Sequence, residues 1–190
     1  MRYLPLALTL LRLILGPVAL LGALMGAPRW IYLPILIIAT LSDIYDGILA
    51  RRLGVATPAL RRFDSITDLI FYLFILGVAW RLDRPTLMEN WPWLAVILVS
   101  EAVVIIFCHV KFGKFPATHS YLAKTYGLCL LAALIALLVF DAGSWVIISL
   151  AIVALVTNSE ILAIHILMSK PPVDVKSIFR AFKKNGRRTD

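Results

Sequence analysis

The chain of 190 residues is 61% hydrophobic and only 16% charged, and it carries a net charge of +8. This composition excludes a soluble globular enzyme and leaves no stretch for a soluble domain of useful size, whereas it is typical of proteins with several membrane-spanning helices. The basic surplus comes without any nucleic-acid-binding motif. It indicates attraction to an anionic membrane surface and no nucleic-acid partner.

Six apolar segments are long enough to span a bilayer, some of them with tilt. They lie near residues 6–26, 30–53, 65–81, 91–110, 121–140 and 144–168. We therefore predict an all-α integral membrane protein with one six-helix membrane domain over residues 1–169. Residues 170–190 form a basic tail in which Val175, Ile178 and Phe182 share one helical face, so we expect a short amphipathic helix on the membrane surface.

The distribution of basic residues predicts the orientation. If the N-terminus is cytoplasmic, fifteen of the nineteen Lys and Arg residues fall on the cytoplasmic side. Only Arg29, Arg81 and Arg84 fall on the opposite side, and Arg12 lies inside the first apolar segment. The positive-inside rule therefore predicts that both termini are cytoplasmic.

Arg12 interrupts the first apolar segment. A removable signal peptide would not normally carry an arginine in its apolar region, so we expect the segment to stay as a helix. Two roles for Arg12 are open. It could form a structural ion pair with Glu101 or Glu160, each of which also lies in an apolar segment, or it could contact a substrate.

Four aspartates occupy the membrane ends of the second and third segments. On the second helix an arc of roughly 140° holds five residues: Asp43, Asp46, Gly47, Ala50 and Arg51. Asp64 and Asp68 are four residues apart and stack on one face of the third helix. Gly54, Thr57 and Pro58 supply the turn between the two helices. The sequence thus predicts a helical hairpin whose two acidic faces point toward each other.

Several carboxylates at one membrane-edge site repel each other unless a cation lies among them, and a hard divalent ion with oxygen ligands is the usual solution. Four carboxylates exceed what one Mg²⁺ takes from a protein, so two ions fit better and favour phosphoryl chemistry. The alternative is that these aspartates are only solvated at a loop. Carboxylates at helical spacing within or beside a membrane are more often functional.

The connection between the fourth and fifth segments is the second informative stretch. It is basic, and His119 and Lys124 lie five residues apart around the start of the fifth helix. Together with Arg61 they are our candidate ligands for an anionic acceptor or a diphosphate. Lys111 and Lys114 fit equally well as charges that only keep the loop cytoplasmic.

The acidic pattern resembles the signature of a known family. It is Asp43-x2-Asp46-Gly47-x2-Ala50-Arg51 followed by Asp64-x3-Asp68, and it is similar to that of the CDP-alcohol phosphotransferases, integral membrane enzymes of phospholipid synthesis. Seven of the eight fixed positions match, and the spacing between the two halves is kept. The departure is Leu60, where the family has Gly. Pro5, Thr9 and Arg12 also resemble the opening of several family members.

The resemblance implies transfer of a phosphatidyl group from CDP-diacylglycerol to an alcohol, with release of CMP. It implies two Mg²⁺ or Mn²⁺ ions on Asp43, Asp46, Asp64 and Asp68. Asp68 would also be the catalytic base, while the CDP moiety would lie against Gly47, Ala50 and Arg51. It further implies a homodimer in the cell (inner) membrane with its active site at the cytoplasmic face. Glycerol 3-phosphate is our first expectation for the acceptor, and inositol-type alcohols fit the same charges.

Two functions of other kinds remain open at this point. The aspartates could be the ion site of a cation or proton transporter, although the sequence shows no inverted repeat and no interrupted midplane helices. Alternatively, Leu60 could close the nucleotide pocket and leave a non-catalytic membrane scaffold. Release of CMP would separate an enzyme from both.

Overall fold

The computed structural model describes residues 4–55, 57–113 and 121–168. Its six helices are α1 (Leu4–Leu24), α2 (Tyr32–Arg52), α3 (Pro58–Glu89), α4 (Trp91–Phe112), α5 (Tyr121–Leu138) and α6 (Ser144–Leu167). A short 3₁₀ turn, Arg29–Ile31, precedes α2, and the described ranges contain no strand. All six helices are long and apolar enough to cross a membrane. The prediction of an all-α fold with six candidate spans is confirmed, whereas the tail over residues 170–190 lies outside the described residues.

Helix α3 consists of two helical stretches. The segment predicted near residues 65–81 corresponds to the first stretch, and a second stretch that was not predicted continues to Glu89. The helix is interrupted at Asp83, whose φ of −133° and ψ of 32° are not helical. Pro85 accounts for the break, since its ring lacks an N–H and collides with the carbonyl group of the preceding turn.

The chain forms two compact units. The first contains residues 1–87 and 134–142, so it holds α1, α2, most of α3 and the last turn of α5. The second contains the described residues of the ranges 88–133 and 143–168, which include α4, most of α5 and α6. The predicted acidic hairpin belongs entirely to the first unit.

In the first unit, α1 and α2 each bury one stripe of residues spaced three or four apart. The stripe of α1 contains Pro5, Thr9, Arg12, Gly16, Ala19 and Ala23. That of α2 contains Tyr32, Leu36, Ala39, Ser42, Asp46 and Ala50. Small residues let the helix backbones approach closely. Both stripes become polar toward one end, which places Thr9, Arg12 and Asp46 inside the contact surface.

The turn between α2 and α3 has the predicted form. Gly54 ends α2 with a φ of +66°, and the N–H of Val55 donates to the carbonyl oxygen of Ala50, which is a Schellman arrangement. Thr57 then accepts a hydrogen bond on its Oγ1 from the N–H of Leu60 at 3.2 Å, as an N-cap residue does, and Pro58 is the first helical residue. These local signals fix the hairpin.

Arg29 ties together three parts of the first unit at the other end of α2. Its Nη2 donates to Asp83 at 2.6 Å, where α3 breaks, and its Nη1 donates to the carbonyl oxygens of Leu137 and Leu138 at the end of α5. The Asp83 side chain is only 2% exposed. Arg29 therefore neutralises a buried carboxylate and satisfies backbone carbonyl groups at the break in α3 and at the end of α5.

We expect Arg29→Gln to lower the free energy of unfolding by about 3 kcal/mol, because it leaves the buried Asp83 carboxylate without its partner. The measurement is denaturant unfolding in detergent for Arg29→Gln, Asp83→Asn and the double variant. The double variant should lose less stability than the two single losses added together. Arg84→Gln is the matched control, because Arg84 is exposed next to Asp83 in α3 and its contact among the described residues is with the Trp80 ring. Strictly additive losses would contradict the pairing.

In the second unit, polar pairs join α4 to α5 and α6. Asn158 donates to Ser100 at 2.9 Å, and the Tyr126 hydroxyl donates to Glu101 at 2.8 Å. Lys111 donates to the carbonyl oxygen of His165 at 2.8 Å, in the last turn of α6, where a cation is favoured. Glu101 thus has a hydrogen-bonded place among the helices, as expected of a carboxyl group in an apolar segment.

Candidate active site

The structure brings the four aspartates of the hairpin to one place. Asp43 and Asp46 lie in the last turns of α2, and Asp64 and Asp68 lie near the start of α3. One carboxylate oxygen from each of Asp43, Asp64 and Asp68 lies within 4.8 Å of the other two. These three side chains are between 31% and 49% exposed, so the group is open to solvent on one side.

Asp46 is different because its side chain is only 5% exposed. The Thr9 hydroxyl lies 3.2 Å from Asp46 Oδ2 and 3.1 Å from the carbonyl oxygen of Pro5. Asp46 therefore lies behind the other three aspartates, against α1. Three of the four predicted metal ligands form the open group, and the fourth is held beside it by residues of the first helix.

Arg12 joins all four aspartates. It is 1% exposed, and its guanidinium donates one hydrogen bond to each carboxylate, namely those of Asp43, Asp46, Asp64 and Asp68. Of the two roles left open for Arg12, the ion pair with Glu101 or Glu160 is wrong, because its described partners are these aspartates. The physical reason is that α1 packs directly on α2, which brings Arg12 to four carboxylates, and a guanidinium with several N–H donors can serve all of them.

The residues expected to contact the CDP moiety continue along α2. Ala50 is buried and Arg51 is exposed. A Cβ on Gly47 would lie 3.5 Å from Nη1 of Arg51, so the guanidinium of Arg51 lies back over the turn that begins at Gly47. The exposed guanidinium of Arg51 is thus next to Gly47, which has no side chain. Asp43 and Asp46 precede them on the same helix.

The remaining sequence candidates belong to other parts of the chain. Leu60 is half-buried in the first turn of α3, and its N–H is used by the Thr57 cap. Lys124 is exposed in the first turn of α5, which belongs to the second unit. His119 and the side chain of Arg61 lie outside the described residues. The acceptor roles of Lys124, His119 and Arg61 stay predictions.

The donor set of the open group suits a hard divalent cation. Its members offer only carboxylate oxygens, which are the ligands that Mg²⁺ prefers. Oxygens on opposite sides of a Mg²⁺ ion are about 4.2 Å apart, so a spacing of up to 4.8 Å needs only small side-chain movements. The half-exposed side leaves room for waters or substrate phosphate, which Mg²⁺ normally keeps as further ligands.

Thr9 and Arg12 are the members of this site that the sequence did not assign to it. Two signals were available. One is the resemblance of Pro5, Thr9 and Arg12 to the opening of family members, and the other is the distance of Arg12 and Asp46 from the ends of their helices. Arg12 lies about 12 Å along α1 from its first residue, and Asp46 lies about 9 Å from the end of α2. Neighbouring antiparallel helices bring residues at such similar depths together.

Comparison with known proteins shows several relatives. The chain is 30% identical over 128 residues to proteins named "Probable phosphatidylglycerophosphate synthase" from two strains of Mycobacterium tuberculosis, CDC 1551 / Oshkosh and H37Rv; each alignment covers 63% of this chain and 58% of the relative. It is 31% identical over 128 residues to "Cardiolipin synthase (CMP-forming)" of Streptomyces coelicolor, with 64% and 56% covered. The chain thus matches less than two thirds of the length of these relatives. No solved structure matches it significantly.

A family model described as CDP-alcohol phosphatidyltransferase matches residues 2–157. The matched region includes the whole of α1 to α5, Arg12 and the four aspartates. It covers most of the chain, and it confirms the resemblance read from the spacing of the aspartates. The chain therefore belongs to the CDP-alcohol phosphatidyltransferase family.

Proposed function

We propose that this protein is a phospholipid-synthesis transferase that moves a phosphatidyl group from CDP-diacylglycerol to an alcohol and releases CMP. Family membership supports the reaction class. The observation that carries the proposal for this chain is the gathering of Asp43, Asp64 and Asp68 within 4.8 Å, next to a glycine and an exposed arginine on α2.

The residues have separate tasks in this reaction. Divalent ions held by Asp43, Asp46, Asp64 and Asp68 would neutralise the diphosphate and stabilise CMP as the leaving group. Gly47 and Ala50 leave space for the nucleotide, and Arg51 pairs with a phosphate oxygen. Asp68 accepts the proton of the acceptor hydroxyl. At the same time the hydroxyl oxygen bonds to the phosphatidyl phosphorus, and the bond from that phosphorus to CMP breaks.

We propose glycerol 3-phosphate as the acceptor. Two of the relatives are named as phosphatidylglycerophosphate synthases, and the cationic candidates Arg61, His119 and Lys124 suit a phosphorylated alcohol. An inositol-type acceptor suits the same charges. The test is purified protein with Mg²⁺, CDP-diacylglycerol and a panel of alcohols, scored by CMP and lipid product. Absence of CMP release with every alcohol would overturn the enzyme and favour a transporter or scaffold.

The proposal includes a cytoplasmic site in the cell (inner) membrane and, by family resemblance, a homodimer. Fifteen of the nineteen basic residues fall on one side of the six-span topology. We therefore expect cysteine labels at residue 1, near Arg61 and at the C-terminus all to report a cytoplasmic location. A label at residue 141, in the connection between α5 and α6, is the control and should report the opposite side. A periplasmic label near Arg61 would contradict the proposed access of nucleotide to the site.

Leu60→Gly restores the residue that the family has at this position. Because the structure uses the Leu60 backbone N–H in the Thr57 cap, the cap survives the change. We expect affinity for the CDP-linked donor to stay the same or to increase, and stability to fall by up to about 1 kcal/mol from the added backbone freedom. Leu60→Ala is the control for loss of side-chain volume alone. Loss of donor binding in a folded Leu60→Gly protein would make Leu60 part of a reshaped donor site.

A further inference from the structure

Arg12 has an environment that the proposed reaction does not yet explain. Its side chain is 2% exposed, and all four of its hydrogen-bonded partners are carboxylates that we propose as metal ligands. Arg12 therefore differs from an arginine in a surface ion pair, whose guanidinium stays exposed to water. A buried cation that serves four carboxylates at once acts as the counter-ion of the whole group.

Both Nη atoms of Arg12 donate to the carboxylates. A guanidinium has five N–H donors, of which four belong to the two Nη atoms. Each Nη atom donates to two aspartates, one on α2 and one on α3. The fifth donor, at Nε, has no hydrogen-bond partner within the described residues. The guanidinium thus links the two acidic helices through one oxygen of each of the four carboxylates that we propose as metal ligands.

We propose that Arg12 is a built-in counter-cation that holds the aspartate cluster together without metal and is displaced from it when divalent ions bind. This inference rests on the metal site of the proposed function. Arg12 uses one oxygen of each carboxylate and leaves the other oxygen for a metal ion, so the competition is electrostatic: a guanidinium and divalent ions beside the same four carboxylates repel each other. Two divalent ions would balance four carboxylates by formal charge, so the guanidinium would no longer be required for neutrality.

The alternative is that Arg12 only positions the carboxylates and thereby assists metal binding. The two roles have opposite signs. If Arg12 competes with the metal, its removal destabilises the metal-free protein but strengthens metal binding. If Arg12 assists, its removal weakens both.

The test compares wild type, Arg12→Gln and Arg12→Lys as full chains in nanodiscs of uncharged lipid. Affinity for Mn²⁺ alone is measured by electron paramagnetic resonance, and Tm is measured with and without Mn²⁺. We expect Arg12→Gln to lower the metal-free Tm by more than about 5 °C and to bind Mn²⁺ about tenfold more tightly or better. Mn²⁺ should raise Tm more in the variant than in wild type.

Arg12→Lys keeps the positive charge, and it provides a second variant for the Mn²⁺ measurement if Arg12→Gln does not fold. Its compact ammonium cannot reach four carboxylates, so Mn²⁺ affinity should lie between those of wild type and Arg12→Gln. Arg29→Gln is the matched control, because it removes another ion-paired arginine roughly 20 Å away along the axis of α2. It should lower Tm and leave Mn²⁺ affinity unchanged.

A folded Arg12→Lys protein that binds Mn²⁺ no more tightly than wild type would overturn the proposal. CMP release by wild type is measured in parallel and tests the proposed function separately. An active wild type with unchanged affinity in the Arg12 variants would overturn only the counter-cation role. An inactive wild type whose Arg12 variants bind Mn²⁺ more tightly would overturn only the transferase function.

Discussion

Removal of divalent ions is expected to abolish CMP release, with activity falling below detection in excess EDTA and returning when Mg²⁺ or Mn²⁺ is added. The physical reason is that Asp43, Asp64 and Asp68 present three close carboxylates with no soft ligand in their group, and hard divalent ions are the cations that such groups bind. Without them the diphosphate of the donor would meet repelling negative charge.

The control for this experiment is the helix content of the protein in EDTA. Because Arg12 contacts all four carboxylates, the metal-free protein should keep its helices, and circular dichroism in EDTA should match that of the metal-loaded protein. Activity lost together with helicity would point to a structural role for the ions. Full turnover in excess EDTA would remove the metal mechanism.

The hairpin that carries the aspartates could be predicted because its signals are local. Gly54, Thr57 and Pro58 each have one strongly preferred use at a helix end, and the structure shows all three in that use. Once the turn is fixed, the spacing of aspartates along two helices determines which faces they occupy. The six candidate spans follow from length and composition for the same reason.

The partners of Arg12 could not be predicted in this way. They depend on which helix packs against α1, and the sequence offered carboxyl groups on the hairpin and on later helices. The stripe of small residues on α1 lets the hairpin approach closely: a Cβ added at Gly16 would lie only 2.9 Å from the Phe74 side chain of α3. The second stretch of α3, from the break at Asp83 to Glu89, was not predicted, because Asp83 and its charged neighbours are typical of a loop, whereas Arg29 neutralises Asp83 from outside the helix.

The acceptor is the least predictable part of the site. Its candidate ligands Arg61, His119 and Lys124 come from separate connections and helices, so no helical periodicity places them on one face. Specificity for the acceptor depends on the arrangement of these long and flexible side chains around a small alcohol. The acceptor panel therefore decides a question that neither charge nor spacing can answer.

Asp68→Asn is expected to lower turnover by roughly 10²-fold or more, because the amide keeps the size of the side chain but cannot accept the acceptor proton. The protein should still fold. Arg12 would keep its contacts with Asp43, Asp46 and Asp64, and one negative charge fewer reduces repulsion within the group. Steady-state release of CMP at saturating CDP-diacylglycerol is the measurement.

Asp64→Asn is the matched control, since Asp64 lies one turn away on the same helix, is equally exposed and also contacts Arg12. If Asp64 is only a metal ligand, its variant should bind Mn²⁺ more weakly and recover much of its turnover at high Mn²⁺. Asp68→Asn should recover little, because saturating the site with metal does not replace a proton acceptor. Equal recovery of both variants would remove the base role of Asp68 and leave it as a metal ligand alone.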